Sequence, residues 1–142
     1  MIIKLYNQNK EIINYLIFGI LTAIVSLTTY YALVLTILNP NNPIELQIAN
    51  IISWIVCVTF AYFTNRKYVF ISQDKNILKE ACRFYLSRLA VLLLDMLLMY
   101  ILVSRLHYND KIMKIAIQII ITAANYILSK LLIFKQTKKS NN

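Results

Sequence analysis

The sequence IANIISWIVCVTFAYFTNRKYVF, residues 48–70, contains a long apolar segment that ends in an amide and two cations before apolar residues return. No charged residue lies between Glu45 and Arg66, and a helix of this length crosses about 30 Å of hydrocarbon. The whole chain has the same character, because 59% of its 142 residues are hydrophobic. Soluble domains contain about 45–50% apolar residues, so the sequence predicts an integral membrane protein.

Three further apolar segments complete the predicted fold. No charge lies between Glu11 and Glu45, and the sequence LNPNNPIE (38–45) divides this region because two prolines among asparagines interrupt a helix. Two less uniform apolar segments follow in the second half of the chain. The predicted spans cover residues 14–38, 44–64, 84–103 and 112–134. We therefore predict an all-α fold, in which a single domain over residues 1–142 crosses the membrane four times.

The distribution of cations predicts the orientation of these spans. Four spans place both termini on one side of the membrane, together with the connection between spans two and three. Eleven of the 15 Lys and Arg residues lie on that side, so we expect both termini to be cytoplasmic. Topology accounts for most of the net charge of +9, and no nucleic-acid partner is expected. The eleven are Lys4, Lys10, Arg66, Lys67, Lys75, Lys79, Arg83, Lys130, Lys135, Lys138 and Lys139, whereas the opposite side has Arg105, Lys111 and Lys114.

The connection between spans two and three has a helical pattern of its own. Apolar residues recur at helical spacing in the sequence NILKEACRFY, residues 76–85, and charged residues occupy the opposite side. This pattern predicts an amphipathic helix that lies in the cytoplasmic interface and leads into span three. Its apolar side comprises Ile77, Leu78, Ala81, Phe84 and Tyr85, and its charged side comprises Lys75, Lys79, Glu80 and Arg83.

Two halves of the chain share a sequence pattern. The segments AYFTNRKYVF (61–70) and NYILSKLLIF (125–134) align at an offset of 64 residues, which pairs Phe70 with Phe134. The starts of spans one and three align at an offset of 70 residues, which pairs Tyr15 with Tyr85. The alignment predicts two copies of a two-helix hairpin that run in the same direction across the membrane.

Charged residues within the predicted spans are candidates for function, because a charge at the centre of a span costs about 2.5–3.5 kcal/mol on insertion scales. Arg88 and Asp95 share a face of span three but lie about 10 Å apart along the axis, too far for a close pair. In one interpretation Arg88 and Lys114 extend to the membrane surfaces, and Asp95 bonds to Asn125 or a tyrosine. In the other, Arg88 on the cytoplasmic side and Lys114 on the outer side bind a phosphate, with Asn65, Asp95 and Asn125 beside them.

The sequence has no pattern for covalent catalysis or for a bound metal. A nucleophile needs a nearby base, and the single histidine, His107, falls in a predicted outer loop. Cys57 and Cys82 lack metal-ligand spacing, and there is no Gly-rich phosphate loop. A proton-coupled drug exporter would be expected to carry an acidic residue within span one, which has none. We therefore expect neither enzyme activity nor a cofactor.

Taken together, these segments resemble the GtrA-like family of small membrane proteins. The resemblance covers nearly the whole chain and includes FGILTAIVSLTTYYAL (18–33), residues 48–70 quoted above, RFYLSRLAVLLLD (83–95) and AANYILSKLLIF (123–134). It implies a role in the glycosylation of bacterial cell-surface polysaccharide or teichoic acid. It also implies a flippase that carries a polyprenyl-phosphate-linked sugar from the cytoplasmic to the outer leaflet of the bacterial plasma membrane.

The resemblance further implies which residues bind the substrate. The family's motif positions correspond to Ala61, Asn65, Val69, Phe70, Phe84, Arg88, Lys114 and Asn125 in this sequence. The charge pattern adds Arg66 and Asp95 as candidates. Ser129 stands where the first copy has Asn65, so we expect the second copy to contribute more to structure than to substrate contact.

The implied partners are the lipid-linked sugar, membrane lipid and a glycosyltransferase. Four short helices form a thin scaffold for transport, so we also expect a homo-oligomer. The alternative to a flippase is a non-transporting accessory subunit that anchors or orients a membrane glycosyltransferase.

Overall fold

The computed structural model describes residues 2–39 and 41–134, except for the side chains of residues 2–6, 99, 103, 110, 111 and 114. These described ranges are helical and contain no strand, which confirms the predicted all-α class. The four α-helices are α1 (Ile2–Thr36), α2 (Pro43–Thr64), α3 (Ile77–Met99) and α4 (Asp110–Leu128). The last three continue directly into π-helical segments, namely π1 (Asn65–Val69), π2 (Tyr100–Arg105) and π3 (Ser129–Ile133).

Each α-helix supplies a segment that is long and apolar enough to cross a membrane. In the described part of the chain there are four such segments, Asn7–Thr36, Pro43–Val69, Ile77–Leu102 and Ile115–Ile133. Large hydrophobic side chains point outward along them, such as Leu35, which is 79% exposed, and Ile119, which is 68% exposed. Such side chains are favourable against lipid tails, so the helices need little buried surface between them. The prediction of four membrane-spanning helices is confirmed by length and composition.

The start of α2 is defined by a polar cap in the loop after α1. Asn42 is the N-cap residue, and its side-chain oxygen accepts a hydrogen bond of 3.0 Å from the backbone of Ile44. Its amide donates 2.9 Å to the carboxylate of Glu45, which also accepts a 2.6 Å hydrogen bond from the backbone of Asn39. Pro43 occupies the first helical position, where its missing N–H costs nothing. The loop therefore satisfies the free N–H groups of the helix start and places an acidic group in its first turn.

The chain divides after residue 71 into two compact units, each of which consists of two helices. The first unit contains α1, α2 and π1, and the second contains α3, π2, α4 and π3. In the first unit the buried apolar residues include Tyr15, Val58 and Tyr62. In the second unit the core consists of Val91, Ile117 and Ile121, with Leu98, Leu102, Met113 and Leu128 packed against it.

The second helix of each unit ends in a widened turn at corresponding positions. The backbone N–H of Phe70 donates 2.9 Å to Asn65, and that of Phe134 donates 2.8 Å to Ser129. Both hydrogen bonds span five residues, as in a π-helix. The first residue, the last residue and the following phenylalanine of each turn are buried. The two turns are separated by 64 residues, the same offset as in the sequence alignment.

An aromatic contact joins the two helices within each unit near these turns. The rings of Tyr15 and Phe70 lie 6.3 Å apart in the first unit, and those of Phe84 and Phe134 lie 5.8 Å apart in the second. The interplanar angle is 54° in both pairs. The sequence alignment paired Tyr15 with Tyr85, whereas the contacts pair it with Phe84, one residue earlier. Spacing along the chain gives the register of a helix only to within one residue when both neighbours are aromatic.

The predicted amphipathic segment, residues 76–85, belongs to α3 itself, because the helix runs without interruption from Ile77 to Met99. Two of its residues differ from the predicted sides. Glu80, expected on the polar side, is 1% exposed, and its carboxylate accepts a hydrogen bond from the hydroxyl of Ser72. Leu78, expected on the apolar side, is 81% exposed. The pattern orders side chains around the helix, but the residues before the helix decide which side is covered.

Candidate functional site

Arg88 is a cation within a membrane-spanning helix, and its guanidinium is held by two uncharged groups. Its central carbon lies 4.5 Å from the centre of the Phe84 ring, and its Nη2 donates a 3.3 Å hydrogen bond to the hydroxyl of Ser129. A desolvated cation–π contact of this kind contributes about 2 kcal/mol. Arg88 is half-buried, whereas Phe84 and Ser129 are both 0% exposed.

The helices position these groups through short-range geometry. Phe84 precedes Arg88 by one turn of α3, so the ring and the guanidinium share a face of the helix. Phe84 is fixed in turn by its contact with Phe134, the residue that closes π3. Ser129 begins π3, and its hydroxyl therefore lies where the last turn of α4 widens. The Arg88 side chain is thus oriented by α3 on one side and by the end of α4 on the other.

The electrostatics of Arg88 favour an anion. Its partners among residues 2–39 and 41–134 are the Phe84 ring and the Ser129 hydroxyl, and neither of them carries a charge. A guanidinium has five N–H donors, and the hydroxyl uses one of them. A half-buried cation with free donors is suited to bind a phosphate or carboxylate through two parallel hydrogen bonds.

Asn65 is a buried amide at the end of α2 in the first unit. The residue is 5% exposed, and its side-chain Nδ2 donates a 2.7 Å hydrogen bond to the backbone carbonyl of Ala61. Its Oδ1 is buried and has no hydrogen-bond partner in the described part of the chain. Leaving a buried acceptor unsatisfied costs about 1–3 kcal/mol, so this oxygen is a candidate for contact with a ligand.

Asn125 is a second amide with an unsatisfied oxygen, and it lies on α4 of the second unit. Its Oδ1 is buried and lacks a partner among the residues that the structure describes. Asn125 precedes Ser129 by four residues, so it lies on the helix face that also meets Arg88.

The two units exchange the positions of their amides. The first unit has Ala61 and, four residues later, Asn65, whereas the corresponding positions of the second unit hold Asn125 and Ser129. Each unit therefore has one asparagine and one small residue on the last turns of its second helix. The amide occurs before the widened turn in one unit and at its first residue in the other.

Residues 14–134 match the family described as GtrA/DPMS, transmembrane domain. The chain belongs to the GtrA/DPMS transmembrane-domain family. This match covers all four helices, and the predicted family resemblance is confirmed. The protein is accordingly a multi-pass membrane protein.

Relatives of similar length share more than a third of their residues with this GtrA/DPMS chain. An uncharacterized membrane protein of Bacillus subtilis strain 168, YwcD, is 37% identical over 128 residues, which are 88% of this chain and 97% of the relative. The cell wall teichoic acid glycosylation protein GtcA of Listeria innocua is 37% identical over 137 residues, 94% of this chain and 91% of the relative. GtcA of Listeria monocytogenes serovar 1/2a is 37% identical over 135 residues, 93% of this chain and 90% of the relative. No solved structure matches the chain significantly.

The predicted site residues of the GtrA/DPMS domain fall into the two units. In the first unit the structure brings Asn65 onto the carbonyl of Ala61 and buries Val69 and Phe70, while Arg66 is half-buried in π1. In the second unit it brings Phe84 and Arg88 together, and Asp95 is half-buried further along α3. Lys114 belongs to α4, but its side chain lies outside the described part of the structure. Its backbone is about 20 Å along the helix from Ser129, and hence at the opposite end of α4 from the contact with Arg88.

Two residues of this GtrA/DPMS domain were missed as contributors to the site. Ser129 was interpreted as a departure from the repeat, yet it is the hydrogen-bond partner of Arg88. The alignment did contain a signal, since it matched Ser129 with a candidate binding residue. Glu80 was assigned to solvent, yet it is buried one turn before Phe84. Its spacing of four residues from an aromatic residue was the available signal.

Proposed function

We propose that the protein is a flippase that carries a polyprenyl-phosphate-linked sugar from the cytoplasmic to the outer leaflet of the bacterial plasma membrane. The observation that carries this proposal is Arg88, a half-buried cation in a membrane-spanning helix whose partners are a ring face and a hydroxyl. A charge in a span is costly, and here no acidic partner within the described residues offsets it. A bound phosphate would offset that cost and use the free guanidinium donors.

The substrate class follows from the membrane as the surroundings of this cation. A polyprenyl chain stays in the hydrocarbon, so only the phosphate and the sugar need polar contacts during the crossing. Arg88 would hold the phosphate near the end of α4, and Lys114, at the opposite end of that helix, would be the second binding position. Asn65, Asn125, Asp95 and Arg66 supply further polar groups, and Phe84, Val69, Phe70 and Ala61 shape the surfaces around them.

The orientation we propose has both termini in the cytoplasm, as the cation count predicts. Of the cations counted, Lys135, Lys138 and Lys139 lie outside the described residues. In this orientation the end of α4, and with it Arg88, faces the cytoplasmic side, where the sugar lipid would be loaded. The first turns of α3 would lie in the cytoplasmic interface.

We also propose that the chain is a tandem repeat of one hairpin. Support comes from the widened turns at residues 65–69 and 129–133 and from the aromatic pair that accompanies each of them. A homo-oligomer would supply the surface that four helices alone lack.

The names of the relatives support the cellular role. Two Listeria relatives are named as cell wall teichoic acid glycosylation proteins. Glycosylation on the outer surface requires a sugar donor there, and a flippase for a lipid-linked sugar would deliver it to a membrane glycosyltransferase. We propose that this protein has no catalytic activity of its own and needs no cofactor.

The test is transport by the purified protein. Proteoliposomes that contain only this protein and a fluorescent polyprenyl-phosphate hexose or N-acetylhexosamine should transfer the lipid between leaflets, measured by its loss of accessibility to an impermeant quencher. Vesicles that contain the Arg88→Ala variant are the matched control. If the protein moves no lipid faster than empty vesicles do, but activates a co-reconstituted glycosyltransferase, it is an accessory subunit rather than a flippase.

A further inference from the structure

The orientation of the Asn65 amide is determined by its surroundings. A backbone carbonyl can only accept a hydrogen bond, so the NH2 group of Asn65 must be the end that faces Ala61, at 2.7 Å. Its Oδ1 therefore points away from Ala61, and it is buried without a partner in the described part of the chain. The side chain thus presents an acceptor and has no unused donor on the same side.

The polarity of this group restricts what it can bind. A phosphate offers only acceptor oxygens at its charged end, and these would repel the carbonyl oxygen of an amide whose NH2 group is already engaged. A sugar, in contrast, offers hydroxyl groups that donate hydrogen bonds. Asn65 is therefore suited to the uncharged part of a lipid-linked sugar and unsuited to its phosphate.

The corresponding position of the second unit has the opposite use. Ser129 accepts a hydrogen bond from Arg88, so its oxygen is satisfied within the protein, and it orients a cation for an anion. The first unit has no arginine at the position 70 residues before Arg88, because Phe18 stands there and stacks on Tyr68 at 5.2 Å. The two units therefore present different chemistry at corresponding positions, a cation in one and a neutral acceptor in the other.

We propose that Asn65 Oδ1 accepts a hydrogen bond from a hydroxyl group of the transported sugar, and that Asn65 makes no contact with the phosphate. This inference rests on the proposed function and assigns Asn65 to sugar recognition, separate from the phosphate binding of Arg88. Loss of the acceptor weakens binding of the glycosylated lipid and leaves binding of a sugar-free phosphodiester unchanged.

The experiment compares two lipids of equal charge on purified protein in detergent. One is the best-transported polyprenyl-phosphate monosaccharide, and the other is polyprenyl methyl phosphate, a phosphodiester without any hydroxyl. We expect Asn65→Leu, which keeps the volume but removes the amide, to weaken binding of the first lipid about fivefold to tenfold and binding of the second less than twofold. Arg88→Ala should weaken both lipids alike. Asn50→Leu, at an exposed amide of the same helix, is the matched control.

A second variant protects the test against misfolding. Asn65→Ser introduces the residue that the second unit carries at the corresponding position, and its short side chain cannot place an oxygen where Oδ1 lies. It should reproduce the selective loss. With single-deoxy sugar lipids, the unsubstituted protein should discriminate against one missing hydroxyl, and both variants should lose that discrimination.

The outcomes separate the inference from the proposed function. Equal weakening of the two lipids in Asn65→Leu and Asn65→Ser, with the Arg88 dependence intact, overturns the sugar contact but leaves the phosphate site standing. Failure of the unsubstituted protein to bind either lipid overturns the proposed function together with this inference.

Discussion

Arg88 on α3 donates a 3.3 Å hydrogen bond to Ser129, the first residue of the widened turn that follows α4. These residues are separated by 41 positions in sequence, and they connect the two helices of the second unit through a cation and a buried hydroxyl. The hydroxyl fixes one edge of the guanidinium, while the Phe84 ring covers its face. The remaining edge of the guanidinium is the part that an anion can reach.

Substitution of Arg88 should reduce transport according to the geometry of the replacement. Arg88→Ala removes every charge-assisted hydrogen bond to a phosphate, so we expect transport to fall about tenfold to a hundredfold. Arg88→Lys keeps the charge but loses the planar donor array and should retain only part of the activity. Liposome transport at matched protein amounts measures both. Arg83→Ala, at an exposed cation of the same helix, should transport normally, and normal activity of Arg88→Ala would contradict the phosphate site.

Loss of the Ser129 hydroxyl should impair the orientation of Arg88 more than the stability of the fold. Ser129→Ala leaves the guanidinium on Phe84 without its second contact, so we expect weaker binding of a lipid phosphate by about threefold to tenfold. The apparent Tm in detergent should change little. Ser87→Ala is the control, because the Ser87 hydroxyl bonds only to the backbone of its own helix. A large drop in Tm with unchanged binding would assign Ser129 to folding alone.

The aromatic pairs should be equivalent for stability and different for function. Tyr15→Leu and Phe84→Leu each remove one ring from a contact between the helices of a unit, and each should lower the free energy of unfolding by about 1–2 kcal/mol. Only Phe84→Leu also removes the ring beneath a cation, so only this variant should weaken phosphate binding. Equal effects of both variants on binding would show that the contact with Arg88 has no role in recognition.

The buried carboxylate of Glu80 should be coupled to Ser72. The two side chains share a hydrogen bond, so a double-mutant cycle of Ser72→Ala and Glu80→Gln should give a coupling energy of about 1 kcal/mol in detergent unfolding. The single variant Glu80→Ala should destabilise more strongly, because it leaves a cavity and an unpaired hydroxyl. Additive effects within error would mean that the hydrogen bond contributes nothing to stability.

The orientation of the chain can be tested with single cysteines. In a background that replaces Cys57 and Cys82 with serine, Asn41→Cys lies in the loop between α1 and α2, and Lys75→Cys lies before α3; both positions are exposed. An impermeant thiol reagent should label Asn41→Cys in intact cells and Lys75→Cys only after permeabilisation. The reverse pattern would place the termini outside.

The sequence predicted the helices well because the membrane imposes a simple rule on them. A helix that crosses hydrocarbon needs about twenty apolar residues, and this requirement is visible in residues 46–65 without any tertiary information. The match of residues 65 and 129 was also visible, because the aligned segments end in the same Phe.

The neighbours of individual side chains were not predictable in the same way. Helical spacing placed Glu80 on a polar side, but only the path of the preceding loop brings the Ser72 hydroxyl onto its carboxylate. The same limit applies to Ser129, whose contact with Arg88 depends on the packing of α3 against α4. Periodicity gives the direction of a side chain around its own axis and contains no information about the partner helix.

The widened turns at the ends of α2 and α4 also affect how relatives of this chain should be compared. Each hydrogen bond there encloses one residue more than in an α-helix, so each turn behaves as a single-residue insertion within a regular helix. Deletion of one residue from 65–69 would restore an ordinary α-helix, and the phenylalanine that meets Tyr15 would rotate away from that contact. A relative that lacks one residue in this segment would therefore have a differently facing helix end, even where its sequence on both sides is the same.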